Sequence, residues 1–210
     1  MARPRLYIFD FDGTLADSLG LFLDIGDALA DRHGFLRLDR RDLEAVRGLG
    51  AREMIRRQRM PLWKIPLIAR QARALMAQQI DRVQPFAGIP AALDRLAAGG
   101  AALAMVTANG RDNVVRVLPP ATTALFGEME CGVSLFGKAR RLRRVIARAG
   151  VPAADALFVG DEIRDAQAAR AAGVPFGAVA WGYTRLDALL AHGPAQVFQR
   201  VEDLAMYGGS

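Results

Sequence analysis

Short apolar segments alternate with amphipathic segments along most of the chain. The apolar ones span residues 5–10, 101–106, 156–159, 176–180 and 196–198. Between them, apolar residues recur with the period of a helix, and glycine or proline ends most of these stretches. The predicted helices are residues 91–98, 112–118, 139–149, 163–172, 186–191 and 202–206. Short apolar strands that alternate with helices predict a doubly wound α/β fold, in which helices cover both faces of a parallel sheet.

Residues 16–85 interrupt this alternation. Apolar residues recur at helical spacing from Leu15 to about His33, and further helices are predicted at 41–46, 52–60 and 67–80. Glycines and prolines separate these helices, and the segment shows no strand-like alternation. We therefore predict a helical domain of residues 16–85, inserted after the first strand of a core domain that residues 1–15 and 86–210 form.

Polar side chains directly follow three of the predicted strands. Asp10 and Asp12 follow the first strand, Thr107 follows the second, and Asp161 follows the third. Functional sites of open α/β sheets lie at the carboxyl ends of the strands. We therefore expect these four side chains to lie at one edge of the sheet.

The paired acids in DFDGTL have two interpretations. Two carboxylates as close as Asp10 and Asp12 repel each other unless a cation joins them, and Mg²⁺ prefers such oxygen ligands. Gly13 allows the backbone to approach a ligand closely. Alternatively, the two acids only cap the helix predicted from Leu15.

The turn after the second predicted strand is a candidate phosphate site. The Thr107 hydroxyl and the backbone amides of Ala108 and Asn109 could hold a phosphate oxygen. Alternatively, Thr107 and Asn109 are turn and cap residues of the following helix.

A lysine and a cluster of acids complete the candidate chemistry. Lys138 opens a predicted helix and is one of two lysines among the 28 Lys and Arg residues, so a compact charge could be needed there; alternatively it is a surface lysine. Asp161, Glu162 and Asp165 lie in GDEIRD, where Asp165 is one helical turn on and can reach back to Lys138. Alternatively, these acids only complement the helix dipole.

Composition narrows the partners. The chain is 52% hydrophobic and 24% charged, with a net charge of +6. Its arginines are spread over many segments, and the densest basic run, residues 138–148, reads as an amphipathic helix, so no nucleic-acid partner is expected. No apolar run reaches the roughly 18 residues of a membrane span, and Asp10 interrupts the N-terminal apolar run. We therefore expect a cytoplasmic protein without a membrane partner.

Together these motifs resemble the haloacid dehalogenase superfamily, in particular its phosphoglycolate-phosphatase-like group with a helical cap. The matching residues are DFDGTL at 10–15, Thr107, Lys138 and the segment from Gly160 to Asp165. Lys138 lacks the flanking proline that is common in that group. Asp12 stands where the dehalogenases lack an acid, which favours phosphate chemistry over dehalogenation.

The resemblance implies a role for each residue. Asp10 would be the nucleophile and Asp12 the acid and base, while Thr107 and Lys138 would bind the phosphoryl oxygens. Mg²⁺ would be held by the Asp10 carboxylate, the Asp12 carbonyl and Asp161. Glu162 and Asp165 would orient these groups. Substrate contacts are also expected from Gly13, Ala108, Asn109 and, in the inserted domain, Arg47.

The resemblance further implies a Mg²⁺-dependent phosphatase that acts on a small phosphorylated metabolite. A phosphomutase would share every one of these residues. Two other classes stay open: a receiver-like signalling domain, which would lack the inserted helices, and a binding protein on a degenerate form of the fold.

Overall fold

Six parallel strands form the sheet at the centre of the molecule. The computed structural model describes residues 3–134 and 137–206. The strands are β1 (Leu6–Phe9), β4 (Ala102–Val106), β5 (Phe126–Glu130), β6 (Ala156–Gly160), β7 (Phe176–Val179) and β8 (Gln196–Phe198). Their order is β5-β4-β1-β6-β7-β8. All four residues of β1 are buried, as expected for a central strand covered on both faces. The predicted α/β class is confirmed.

Helices lie on both faces of this sheet. They are α5 (Ile89–Ala98), α6 (Arg111–Val117), α7 (Pro120–Ala124), α8 (Lys138–Ala149), α9 (Ile163–Ala172), α10 (Leu186–Leu190) and α11 (Glu202–Met206). On one face, Leu142 and Ile146 of α8 pack with Ile8 and Phe158 of the sheet. The apolar spacing of α8 therefore explains the basic run: its arginines occupy the other side of an amphipathic helix.

Two elements of the core were not predicted. Strand β5 lies at the edge of the sheet, where Glu128 and Glu130 pair with Arg148 and Arg141 of α8, so it lacks the continuous apolar run of the inner strands. Helix α7 begins at Pro120, two residues after the predicted helix of residues 112–118. Proline is favoured in the first turn because that position needs no N–H donor.

The inserted segment is helical, as predicted. It contains α1 (Leu19–His33), α2 (Leu43–Val46), α3 (Ala51–Arg57) and α4 (Ile65–Gln79). Helix α1 begins at Leu19 and not at Leu15, because β2 (Ala16–Asp17) comes first and pairs antiparallel with β3 (Gln84–Pro85). The two connections to the core thus lie side by side. We propose this pair as the boundary of a cap domain of residues 16–85.

Cap and core share one apolar cluster. Leu21, Ile25 and Leu29 of α1 pack in it with Phe9 and Phe11. This packing places the N-terminal part of α1 beside the carboxyl edge of the sheet. Among the described residues, no helix is long and apolar enough to cross a membrane.

Candidate active site

Asp10 occupies the carboxyl end of the central strand. Its side chain is 4% exposed, and its backbone amide donates to the Val159 carbonyl of β6 at 2.9 Å. One carboxylate oxygen, Oδ1, accepts a hydrogen bond from the Phe11 amide at 2.8 Å, and Oδ2 accepts one from Lys138 Nζ at 2.7 Å. Asp10 is therefore a buried carboxylate with a charged partner.

Lys138 joins two acids from different strand ends. Its ammonium donates to Asp10 at 2.7 Å and to Asp165 at 2.6 Å, and its side chain is 8% exposed. Burial alone would lower the pKa of Lys138, but the Asp10 and Asp165 carboxylates outweigh it and raise that pKa. Lys138 is thus a fixed positive charge inside the site, not a surface lysine.

Three buried carboxylates meet at this point. Oxygens of Asp10, Asp161 and Asp165 lie within 4.8 Å of one another. Burial, together with the neighbouring acids, raises the pKa of Asp161 well above its usual value. Burial also raises the pKa of Asp165 to about 6, although Lys138 opposes this shift. Mutually repelling carboxylates that are kept out of water form a suitable ligand set for a hard divalent cation.

The two outer acids are themselves held in place. Asp161 accepts hydrogen bonds from Thr14 Oγ1 and from the Tyr183 amide, both at 2.7 Å. Asp165 accepts a bond from the Glu162 amide, and the two residues form a capping box at the start of α9. Both acids thus accept a bond on each oxygen, but one donor to Asp165 is the charged Lys138, whereas both donors to Asp161 are neutral. Asp165 therefore positions the lysine, and Asp161 is the carboxylate of the two that a metal ion would not share with a cation.

Asp12 lies in a different environment from Asp10. Its carboxylate accepts hydrogen bonds from Ser18 Oγ at 2.9 Å and from Asn109 Nδ2 at 3.0 and 3.2 Å. Burial is the main cause that raises the pKa of Asp12 to about 6, and Asp10 adds to it. A carboxyl group poised near neutrality can both give and take a proton. The Asp12 side chain does not belong to the carboxylate cluster of Asp10, Asp161 and Asp165.

The predicted phosphate turn follows β4 directly. Thr107 is 1% exposed, and its hydroxyl accepts a hydrogen bond from the Asn109 amide at 3.1 Å. The Asn109 side chain turns to Asp12, while its Oδ1 accepts from the Gly110 amide and from Asn113. Contact between Asn109 and a substrate stays a prediction; in this structure its side chain holds Asp12. The structure places Thr107 at the predicted strand end.

Three glycines let the acids fit together. A Cβ at Gly13, where φ is +73°, would lie 2.2 Å from an Asp161 oxygen. A Cβ at Gly182 would lie 2.1 Å from the Asp161 Cβ, and one at Gly160 would lie 2.6 Å from an Asp165 oxygen. Such contacts are shorter than real Cβ atoms show, so any side chain at these positions would displace an acid.

The loop after β7 contributes residues that the sequence did not predict. Trp181 and Gly182 precede Tyr183, whose amide holds Asp161 and whose hydroxyl shares a 2.7 Å hydrogen bond with Ser18, the residue that binds Asp12. Trp181 Nε1 donates to the Thr14 carbonyl at 3.0 Å. The position of these residues just past a strand end is the signal that could have found them.

Arg47 reaches this loop from the cap. Its guanidinium donates to the carbonyls of Tyr183 at 3.0 Å and Gly182 at 2.7 Å, and to Glu44 at 2.8 Å. Each of the three guanidinium nitrogens therefore has a partner in the loop or in Glu44. Contact between Arg47 and a substrate stays a prediction, whereas its contact with the core is visible.

Glu162 lies beside the carboxylate cluster and not within it. Its side chain pairs with Arg164, whose Nε is buried without a hydrogen-bond partner among the described residues. The guanidinium charge lowers the pKa of Asp12, against the larger effect of burial. Glu162 thus fixes a second positive charge near the acids.

A doubly wound sheet with buried acids at its carboxyl edge defines an α/β protein with a candidate ligand site at the strand ends. A sequence model of the haloacid dehalogenase-like hydrolases matches residues 7–179. A phosphoglycolate phosphatase of Synechococcus elongatus is 31% identical over 94% of this chain and 93% of its own length. The chain belongs to the haloacid dehalogenase-like hydrolase family and is a phosphatase.

One further relative and two solved structures are similar to this chain. An N-acetylmuramic acid 6-phosphate phosphatase of Pseudomonas aeruginosa is 28% identical over 94% of this chain and 92% of its own. A haloacid dehalogenase-like hydrolase of Streptococcus pneumoniae, 19% identical and covering both chains fully, superposes with a TM-score of 0.83. The CbbY protein of Rhodobacter sphaeroides, solved with phosphate, gives 0.71 at 20% identity, covering 96% of each chain. The structural matches agree on the fold.

Proposed function

We propose that this phosphatase hydrolyses a small phosphomonoester through an aspartyl-phosphate on Asp10, with Mg²⁺ as cofactor. The observation that carries the proposal is the position of Asp10. It lies buried at the end of β1, bonded to Lys138 and within 4.8 Å reach of Asp161 and Asp165. A carboxylate with a fixed cation and a candidate metal site beside it is suited to attack a phosphorus atom.

The proposed reaction has two steps, and Asp10 and Asp12 act in both. An Asp10 oxygen attacks phosphorus while the bond to the alcohol oxygen breaks, and Asp12 gives that oxygen its proton. Asp12, now ionised, takes a proton from water, and the resulting hydroxide attacks phosphorus. The bond between phosphorus and Asp10 breaks, which releases inorganic phosphate and restores the Asp10 carboxylate. The pKa of Asp12, raised to about 6, suits both directions of proton transfer.

The carboxylate cluster fits a magnesium ion. Asp10 and Asp161 would supply carboxylate oxygens, and Asp12 its backbone carbonyl. Bound Mg²⁺ would supply positive charge against the phosphoryl oxygens. Asp165 would act on the site through Lys138, to which it is bonded at 2.6 Å.

The phosphoryl group would be held by groups from several elements. Lys138 would contribute charge, Thr107 its hydroxyl and Ala108 its backbone amide. Such donors stabilise the transition state because folding has already fixed them. The amides of Gly13 and Asn109 donate in this structure to the Ala16 carbonyl at 2.9 Å and to the Thr107 hydroxyl at 3.1 Å, so they would have to exchange these bonds for the phosphate. The cap, with Arg47, would close over the bound substrate and exclude bulk water.

The names of the relatives suggest a small phosphorylated metabolite as substrate. One acts on phosphoglycolate and another on N-acetylmuramic acid 6-phosphate, so the family accepts alcohols of different size. A phosphomutase with the same residues would interconvert isomers without releasing inorganic phosphate. Phosphate release therefore separates the two reactions.

The test is phosphate release from acetyl phosphate in the presence of Mg²⁺. Asp10→Asn should abolish release, and EDTA should stop the wild type until Mg²⁺ is restored. Asp17→Asn is a matched control, because Asp17 lies exposed just beyond the motif. Circular dichroism would check that Asp10→Asn folds like the wild type. If the folded variant still releases phosphate, Asp10 is not the nucleophile.

A further inference from the structure

A cavity of about 820 Å³ opens beside the acids, between the cap and the carboxyl edge of the sheet. Its core wall includes Asp12, Ala108 and Asn109. Its cap wall is mainly apolar: it includes Phe22, Ile25, Leu29, Met54, Ile68 and Met76, with Gln58 and Arg73 as its polar residues. The volume falls within the roughly 300–1,000 Å³ of sites that enclose drug-sized ligands.

The position of Asp12 shows which part of a substrate this cavity would receive. In the proposed reaction Asp12 protonates the oxygen of the leaving alcohol, so the alcohol lies on the Asp12 side of the phosphorus atom. Asp12 lies on the cavity wall, whereas Asp10, Lys138 and Asp161 do not. The cavity therefore continues the site in the direction of the leaving group.

The charges of the wall disfavour a small anionic alcohol such as glycolate. A carboxylate inside an apolar wall loses its hydration and needs a buried cation in exchange. The cations among the described wall residues are Arg73 and Arg111, and both are exposed. Ile25, Leu29 and Ile68 are at most 7% exposed and belong to the buried part of the wall.

We infer that the preferred substrates are phosphomonoesters of a bulky, mainly apolar alcohol, whose carbon skeleton fills the cavity beside Asp12. This inference rests on the proposed function and names the class of its substrate. Transfer of the alcohol from water to the cavity supplies the binding energy, and the phosphate provides the common anchor.

The test is a series of primary alkyl phosphates that share one reacting group: ethyl, butyl and hexyl phosphate, compared with 2-phosphoglycolate. We expect kcat/KM to rise about fourfold for each added methylene, and hence by about two orders of magnitude from ethyl to hexyl. 2-Phosphoglycolate should be turned over more slowly than butyl phosphate. If kcat/KM did not change with chain length, as expected if the cap closes and fills the cavity, the inference would be wrong. A higher kcat/KM for 2-phosphoglycolate than for butyl phosphate would also overturn it.

A pair of cap substitutions links the preference to this cavity. Met54 and Met76 line it and are half-buried, and glutamine has a similar shape but a polar end. The double variant Met54→Gln/Met76→Gln should lower the hexyl-to-ethyl ratio of kcat/KM on the order of tenfold. Met206→Gln is the matched control, because Met206 is 72% exposed and lies outside the cavity. An unchanged hexyl-to-ethyl ratio in the double variant would mean that this cavity does not determine the substrate preference.

The proposed function and the substrate class fail in different ways. If the wild type releases no phosphate from acetyl phosphate or from any ester of the series, the proposed function fails. If it releases phosphate from ethyl and hexyl phosphate equally well, the reaction stands and only the substrate class is wrong.

Discussion

At the scale of single residues, the two aspartates of DFDGTL differ through their partners. Asp10 is bonded to a lysine and belongs to the carboxylate cluster. Within the described part of the chain, the hydrogen-bond partners of Asp12 are neutral: the Ser18 hydroxyl and the Asn109 amide. For Asp12, burial outweighs the neutral hydrogen bonds and the more distant Arg164 charge, and so favours the protonated form that an acid needs. The two residues are the same amino acid in one short motif, and their different neighbours in the fold give them different chemical roles.

The hydrogen bonds to Asp12 lead to a prediction for the metal-free protein. Asn109 donates to both Asp12 oxygens, and bonds to the charged form lower a pKa. Asn109→Ala should therefore raise the pKa of Asp12 above its value of about 6, which carboxyl ¹³C NMR can follow. Asn113→Ala, which removes a partner of Asn109 and not of Asp12, should have a smaller effect. A lower or unchanged pKa in Asn109→Ala would contradict this assignment.

The carboxylate cluster leads to a second prediction. The raised pKa of Asp161 means that the folded state binds a proton more tightly than the unfolded state, so these acids cost stability as the pH rises to neutrality. Mg²⁺ should offset that cost and raise the melting temperature of the wild type by about 5–10 °C at roughly 100 times its Kd.

In Asp161→Asn that increase should disappear, while the melting temperature without metal should not fall. Asp94→Asn is the control, since Asp94 is exposed on α5. Differential scanning fluorimetry with and without Mg²⁺ gives both values. A full Mg²⁺ response in Asp161→Asn would exclude Asp161 as a ligand.

At the scale of elements, the loop after β7 connects the cap to both kinds of acid. Arg47 of the cap binds the carbonyls of Gly182 and Tyr183, and Tyr183 contacts Asp161 through its amide and Ser18 through its hydroxyl. A change in the cap can thus reach Asp12 and Asp161 through a single short segment.

The close approach of this loop makes Gly182 sensitive to substitution. Since a Cβ there would lie 2.1 Å from the Asp161 Cβ, Gly182→Ala should displace the acid and lower kcat/KM on acetyl phosphate by about 100-fold. Gly20→Ala is the matched control. Nothing lies within 4 Å of a Cβ at Gly20 in α1, so this change should add about 0.5–1 kcal/mol of stability. Wild-type kinetics in Gly182→Ala would mean that the loop can move away from Asp161 without loss of function.

The same elements show how far the sequence predicts this fold. Strands β1, β4, β6 and β7 were predicted because each is a continuous apolar run, and the strand-end rule then placed Asp10, Thr107 and Asp161 at one edge. Edge strand β5 was not predicted, because its glutamates, which pair with arginines of α8, interrupt the apolar pattern. The role of Tyr183 was not predicted, because its hydrogen bond to Ser18, 165 positions away, leaves no pattern in the neighbouring sequence.

At the scale of the whole molecule, the site combines local negative charge with a positive surface. The buried acids lie at the edge of the sheet, while the chain carries a net charge of +6. A positive field concentrates an anionic substrate around the protein, and salt screens it over a Debye length of about 10 Å at 0.1 M. The arginines can therefore contribute to catalysis without touching the substrate.

Salt should then lower kcat/KM for acetyl phosphate several-fold between about 0.02 and 0.2 M NaCl, through KM and not kcat. The control variant changes four exposed arginines to glutamine, which takes the net charge from +6 to +2. They are Arg52, Arg70, Arg95 and Arg140, and none forms an ion pair within the described ranges. Because these side chains act only through the field, the variant should show a weaker salt dependence and an unchanged kcat at saturation. An equally steep dependence in the variant would mean that salt acts inside the site, on the contacts of the phosphate with Lys138 and the metal.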